Sequence, residues 1–478
     1  MLPRILAAVV LALLIVPASA SAAKPRVETI KFSYGPLTIK PGQNTISIDG
    51  DDVPRPKRAG WIVGFRPNLE YINGKIPGVD VLHLHHAVWL INGQPTFAAG
   101  EEKTNVKVPR PYGWRHEPDD AWALNHMVHN LLPSRSRVYL TYTLDFVPDS
   151  SPLAKKLRPV ETRWVDVEGG SAYPVFDVRR GSGANGRFTY PRDDPNAYAG
   201  GPPRNQQLIG RDGVLVQTAG HLHPGGLWTD LKLTRNGRTV NLFRSRAKYW
   251  EPAGAVSWDV AMTATRSNWR VKVKRGDVLS VSATYDSKRG SWYESMGIMP
   301  VAFAPGARGG ADPFSGKIER RGRLTHGHLP ENDNHGGRPG GLADARTLPD
   351  GPAATADPLA ITDFLYGQGD LLRGGAASRP PVVAQGQPLN FRNTDAARTI
   401  FHTITACRAP CNRTTGIAYP LADGPVDFDS GELGFGPAGF TPAANRDTWA
   451  TPTNLGPGTY TYFCRVHPFM RGAFRVKK

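Results

Sequence analysis

Tyr462-Phe463-Cys464-Arg465-Val466-His467-Pro468-Phe469-Met470-Arg471-Gly472 sets a thiol, an imidazole and a thioether at C-x-x-H-x-x-M spacing, in a turn between two strand-like runs. Far upstream, His402 stands in the alternating run Thr399-Ile400-Phe401-His402-Thr403-Ile404-Thr405. Two imidazoles, one thiolate and a weakly held thioether form the ligand set of a blue-copper electron-transfer centre. A tight loop that delivers three ligands, with a neighbouring strand delivering the fourth, is what a rigid, preformed site requires.

Working outward from that loop, Leu359 to Tyr366, Val382 to Phe391, Thr448 to Ala450, Gly458 to Phe463 and Gly472 to Val476 read as strands of a compact terminal sandwich over 358–478. Only three cysteines occur in the chain. With Cys464 on a metal, Cys407 and Cys411 remain as a pair that an oxidising compartment would close into a disulfide.

Such a compartment is also what the chain's start indicates. Met1-Leu2-Pro3-Arg4 leads into an apolar run from Ile5 to Val16 and then small residues to Ala23, the pattern of a secretory signal peptide over 1–23. That run falls short of the ~20 residues a spanning helix needs, and no later segment is apolar enough to cross a bilayer. The expected location is therefore extracytoplasmic, in the periplasm or cell envelope or secreted. The formal charge of +17 does not mark a nucleic-acid binder, because Lys and Arg are scattered and no basic run occurs. It fits attraction to an anionic envelope or an acidic redox partner.

At 478 residues the chain is too long for one core. Short alternating runs separated by Pro, Gly and Asn predict an antiparallel β-sandwich over 24–150 and a second over 151–303. Within them, Asp119 to Leu132 fits helical and strand periodicity alike, and 148–203 reads as polar and irregular. Residues 304–357, rich in Gly and Pro, read as a linker. The expected fold class is all-β throughout.

Histidines mark the first two blocks. His83, His85 and His86 lie together; a flat strand puts His83 and His85 on one face and His86 on the other. His126 and His129 follow, and His221 and His223 share a strand face ahead of Met296. Imidazole with thioether favours copper over zinc. His116 reads as an ordinary surface residue, and His326, His328 and His335 form a patch in the linker with no strand to hold it.

Two resemblances attach to these residues. The segment Cys464 to Met470, with the strand Gly456 to Phe463 that leads into it, closely resembles the ligand loop of the amicyanin and plastocyanin group of cupredoxins, over roughly the last 120 residues. It implies type 1 copper on His402, Cys464 and His467, with Met470 axial. Ile62 to Pro67 ahead of His85-His86, then His221-x-His223 and Met296, look like the copper type II, ascorbate-dependent monooxygenases, the family of the peptidylglycine and dopamine hydroxylating enzymes, over roughly 27–303. That resemblance implies one copper on His85, His86 and a third histidine, and a second on His221, His223 and Met296. Departures are the lack of cysteine in these blocks and a third ligand without a clear match; His129 is the choice, with His126 and His83 behind it.

Together these readings predict an exported copper oxidoreductase whose blue-copper domain relays electrons to or from a monooxygenase-like copper module. A redox partner protein or small reductant is implied. The alternative is a copper electron carrier with no catalysis of its own.

Overall fold

The computed structural model describes residues 27–50, 52–170, 173–333, 340–413, 421, 424, 426–435 and 446–478. The signal-peptide segment 1–23 and His335 lie outside the described residues. The fold is all-β, two N-terminal sandwiches followed by a smaller C-terminal one.

In the first sandwich, one sheet runs in the order Glu28–Ile39, Ser136–Pro148, Gly60–Tyr71, Tyr112–His116, Arg158–Pro159. Its partner runs Ile46–Asp49, Trp122–Asn130, Leu82–Ile91, Gln94–Ala99. Phe65 from the first sheet stacks on Phe97 and meets Trp89 edge-on from the second, with Tyr142 completing the cluster. All four are buried, so truncating Phe65 to alanine would cost about 3–5 kcal/mol. The ambiguous segment at 119–132 is resolved as the strand Trp122–Asn130. Eight of its nine residues are buried, which puts apolar side chains on both faces and blurs the period-two signal.

The second sandwich sets the sheet Glu161–Asp166, Ile298–Pro305, Gly213–Thr218, Val271–Val273 against a larger sheet built on Val278–Asp286, Gly226–Arg235 and Arg238–Tyr249. Leu215, Leu231, Phe243, Val281 and Met299 fill its core. The stretch expected to be irregular contributes Glu161–Asp166, Val175–Val178 and Arg187–Tyr190, each paired to a later strand. These strands are short and interrupted by turns, so their pattern hardly shows in the sequence. The segment 304–357 is packed rather than free: Gly322–Leu324 pairs with Val260–Thr265, and Ala345 and Leu348 pack with Leu371 and Ala473.

In the C-terminal sandwich, Leu359–Ile361, Asn390–Asn393 and Thr448–Ala450 face Val382–Ala384, Arg471–Lys477, Gly458–Phe463 and Thr405–Cys407. Tyr366, Phe391, Tyr462 and Phe474 form its aromatic centre. Cys407 and Cys411 are joined in a disulfide. The run expected as a strand at Thr399 to Thr405 enters a regular ladder only at Thr405, whereas His402 is held by reciprocal backbone hydrogen bonds with Leu433. Among the described residues no helix is long and apolar enough to cross a membrane.

Candidate metal centres

Strands Gly458–Phe463 and Arg471–Lys477 are hydrogen-bonded neighbours, and the loop between them is drawn tight by its own backbone. Met470 N–H donates to the His467 carbonyl at 2.9 Å, and Cys464 N–H reaches the Met470 carbonyl at 3.4 Å. Here Cys464 Sγ lies 3.9 Å from His402 Nδ1 and 3.8 Å from His467 Nδ1, and the two nitrogens are 3.1 Å apart. His402, Cys464, His467 and Met470 are all buried.

Each imidazole is aimed by a partner on its other nitrogen. His402 Nε2 donates to Asp395 Oδ2 at 3.0 Å, and His467 Nε2 donates to the Gly42 carbonyl at 2.7 Å. Such outer partners fix the tautomer and present Nδ1 as the ligand atom. Burial pushes the Cys464 thiol up, but His402 and the backbone N–H groups of Thr403 and His467 outweigh it and hold the thiol below its usual range. Burial, with His402 and His129 nearby, keeps His467 neutral, well below the usual imidazole range. A buried thiol whose ionisation is favoured, converging with a neutral imidazole, suits a soft transition metal.

The first sandwich supplies a second group. A bulge between Leu84 and His86 interrupts the pairing of Leu82–Ile91 with Trp122–Asn130, and His83 stands opposite His129. Ligand nitrogens of His83, His85 and His129 lie within 4.8 Å of one another. Trp258 from the second sandwich covers them, its ring centroid 4.5 Å from that of His83 and 4.7 Å from that of His85. His223 joins the group, its ring 4.4 Å from that of His85.

This grouping differs from the expected one. His83, not His86, joins His85 and His129, because strand alternation carries His86 toward another cavity, which it lines with His221 and Met296. His221 and His223 are 5.2 Å apart between ring centroids, yet they serve different cavities: His223 lines one with His85 and His129, His221 the other with His86 and Met296. His126 points elsewhere, its Nε2 donating to Asp49 at 2.8 Å.

Four of these histidines share one pattern. His85 Nε2 donates to the Tyr173 hydroxyl, His86 Nε2 to Asn125 Oδ1, His221 Nδ1 to Glu102 Oε2, each at 3.0 Å, and His223 Nδ1 to the Glu294 carbonyl. The other nitrogen of each, His85 Nδ1, His86 Nδ1, His221 Nε2 and His223 Nε2, is buried without a hydrogen-bond partner. A bare buried acceptor is costly unless something binds it. One oriented nitrogen and one bare nitrogen is the arrangement of a metal-ligating histidine. Burial also holds His86 and His129 neutral, pushed down to about 4, as ligation requires.

The orienting groups had no signal in the sequence. Asp395, Glu102, Asn125, Tyr173 and Glu294 are ordinary residue types in ordinary surroundings until the fold brings them to the rings. Tyr173 in turn donates to Glu294 Oε2 at 3.0 Å, and burial raises the Glu294 carboxyl to about 7.

Three further histidines are structural. His116, expected at the surface, is fully buried, its Nε2 donating to the Pro56 carbonyl at 3.0 Å. His326 contacts the Val260 carbonyl, and His328 lies 3.5 Å from both Asp259 and Asp333, so both pack on the second sandwich.

The two centres touch. His129 Nε2 donates to the backbone carbonyl of Val466, inside the Cys464 loop, at 2.5 Å. His129 and His467 have ring centroids 6.4 Å apart.

No family model matches this chain, and no curated protein matches it. Among solved structures, a Cu-containing nitrite reductase (NirK) from Thermus scotoductus SA-01 aligns over 55% of this chain and 55% of its own, at 14% identity and a TM-score of 0.15. A likeness of that size says nothing about the residues described above.

Proposed function

We propose that the chain is an exported copper-dependent oxidoreductase, in which His402, Cys464 and His467, with Met470, would hold type 1 copper and the histidines of the first two sandwiches would hold further copper. The observation that carries this reading is the hydrogen bond from His129 to Val466, which joins one ligand cluster directly to the ligand loop of the other. Copper in these sites would supply one-electron chemistry, cycling between its cuprous and cupric states.

The chain's own residues do the rest. Asp395 and Gly42 hold the two imidazoles of the blue site in fixed orientation, so that little rearrangement accompanies a change of charge. Thr403 and His467 N–H groups steady the Cys464 sulfur. Trp258 closes the His83, His85 and His129 cluster against water. His85 and His223 carry bare nitrogens and line one cavity with His129, while His86 and His221 carry theirs and line the other with Met296. Electrons enter from a redox partner protein or a small reductant, toward which the net charge of +17 steers an acidic donor.

Copper stoichiometry with paramagnetic resonance tests this. The expected result is blue absorption plus a second class of copper that His221→Ala diminishes. Blue absorption alone, with copper content unmoved by His221→Ala, would leave an electron carrier without catalysis.

A further inference from the structure

The cavity shared by His86, His221 and Met296 lies between the first two sandwiches and has a volume of about 350 Å³. One wall is the outer face of strand Leu82–Ile91, where His86, Val88 and Leu90 follow one another at period two, with Ala98 opposite Val88 on the neighbouring strand. The other wall comes from the second sandwich and includes Trp164, Ala219 and Ile298. Ile48, 58% exposed, marks the opening.

Most polar side chains of the lining are held by protein partners, and Thr104 and Gln217 add neutral ones. Trp114 Nε1 donates to Thr162 Oγ1, which donates to the Thr96 carbonyl. Trp164 Nε1 is turned to Asp166, and Asn125 and Glu102 hold His86 and His221. Among the described lining residues no lysine or arginine occurs, and Glu102 is the one acidic residue. What faces the space is therefore hydrocarbon on most sides, with the two bare nitrogens, His86 Nδ1 and His221 Nε2, on residues of the same lining.

We propose that this cleft binds an uncharged, largely apolar organic molecule, the substrate that the proposed copper module would act on. An apolar cavity of about 150 Å³ holds benzene, so this one has room for about fourteen non-hydrogen atoms. Burying such a ligand releases water that the apolar walls hold poorly, whereas an anionic ligand would enter without a counter-ion and beside the Glu102 carboxylate, and a cationic one would have to compete with His221 for it. The substrate role rests on the copper reading; the binding does not.

Naphthalene titrated into the full chain, copper-loaded and again after metal removal, tests the binding by equilibrium fluorescence. One saturable site is expected in both forms. Val88→Trp and Ala98→Trp, each filling the space from a half-buried position, should each weaken binding by about ten-fold or more. The two are independent, so one that fails to fold leaves the other to decide. 2-Naphthalenesulfonate, with the same ring system and one negative charge, should bind about ten-fold or more weaker. In the copper-loaded protein, naphthalene should also shift the paramagnetic spectrum of the histidine-bound copper and leave the blue band alone. No saturable binding, equal binding by both folded tryptophan variants, or equal affinity for the sulfonate would overturn the site; an unmoved spectrum would overturn the substrate role. A protein that binds naphthalene yet takes up no copper would refute the proposed function while this site stands.

Discussion

His129 and Val466 are 337 positions apart in the chain and are joined by a hydrogen bond of 2.5 Å. The bond ties a ring from the first sandwich to the middle of the Cys464 ligand loop. A reciprocal tie runs from His467 to the Gly42 carbonyl, so the first and last sandwiches each complete the other's site. The setting of His467 and of His129 thus depends on residues outside their own sandwiches.

Gly42 makes that dependence measurable. It sits at φ +58°, and a Cβ there would come within 2.8 Å of Phe364 Cε1 and 2.9 Å of His467 Cδ2. Gly42→Ala should destabilise the protein by about 1–3 kcal/mol and shift the blue absorption band. Thermal unfolding and visible spectroscopy check both. An unchanged band would mean that His467 is positioned by its own loop alone.

Asp395 anchors His402 through Nε2. Asp395→Asn keeps the shape but removes the carboxylate charge, and should weaken copper at the blue site by about 10–100-fold while leaving the histidine sites filled. Competition with a cuprous chelator, read at the blue band, measures it.

Glu102 does the same for His221. Burial pushes its carboxyl up, but His221 and the backbone N–H groups around it hold it below its usual range, so it stands as the carboxylate. Glu102→Gln should weaken the non-blue copper by about 10–100-fold and leave blue absorption unchanged. Paramagnetic resonance of the titrated protein separates the two signals.

His83 and His126 offer a matched pair. His83 lies within the three-histidine group, whereas His126 is turned to Asp49. His83→Ala should weaken copper in that group by about ten-fold or more; His126→Ala should leave copper content as it is. Metal analysis after dialysis distinguishes them. Equal loss in both would return the ligand assignment to an open question.

The sequence by itself determined that Cys464 and His467 meet, because both come from one tight turn whose reach depends on local spacing alone. It also determined that the chain is all-β, since alternating runs broken by Pro and Gly are a local signal. It named the histidines that could bind metal. Which of them meet was decided by tertiary structure. His83 stands with His85 and His129, and His86 with His221, because strand register, a bulge after Leu84 and the packing of two sandwiches set those distances. Asp395, Glu102 and Gly42 gained their roles the same way, through contacts with rings 7, 119 and 425 positions distant. Spacing in the chain fixes where a loop's side chains point; only packing fixes what separate strands bring face to face.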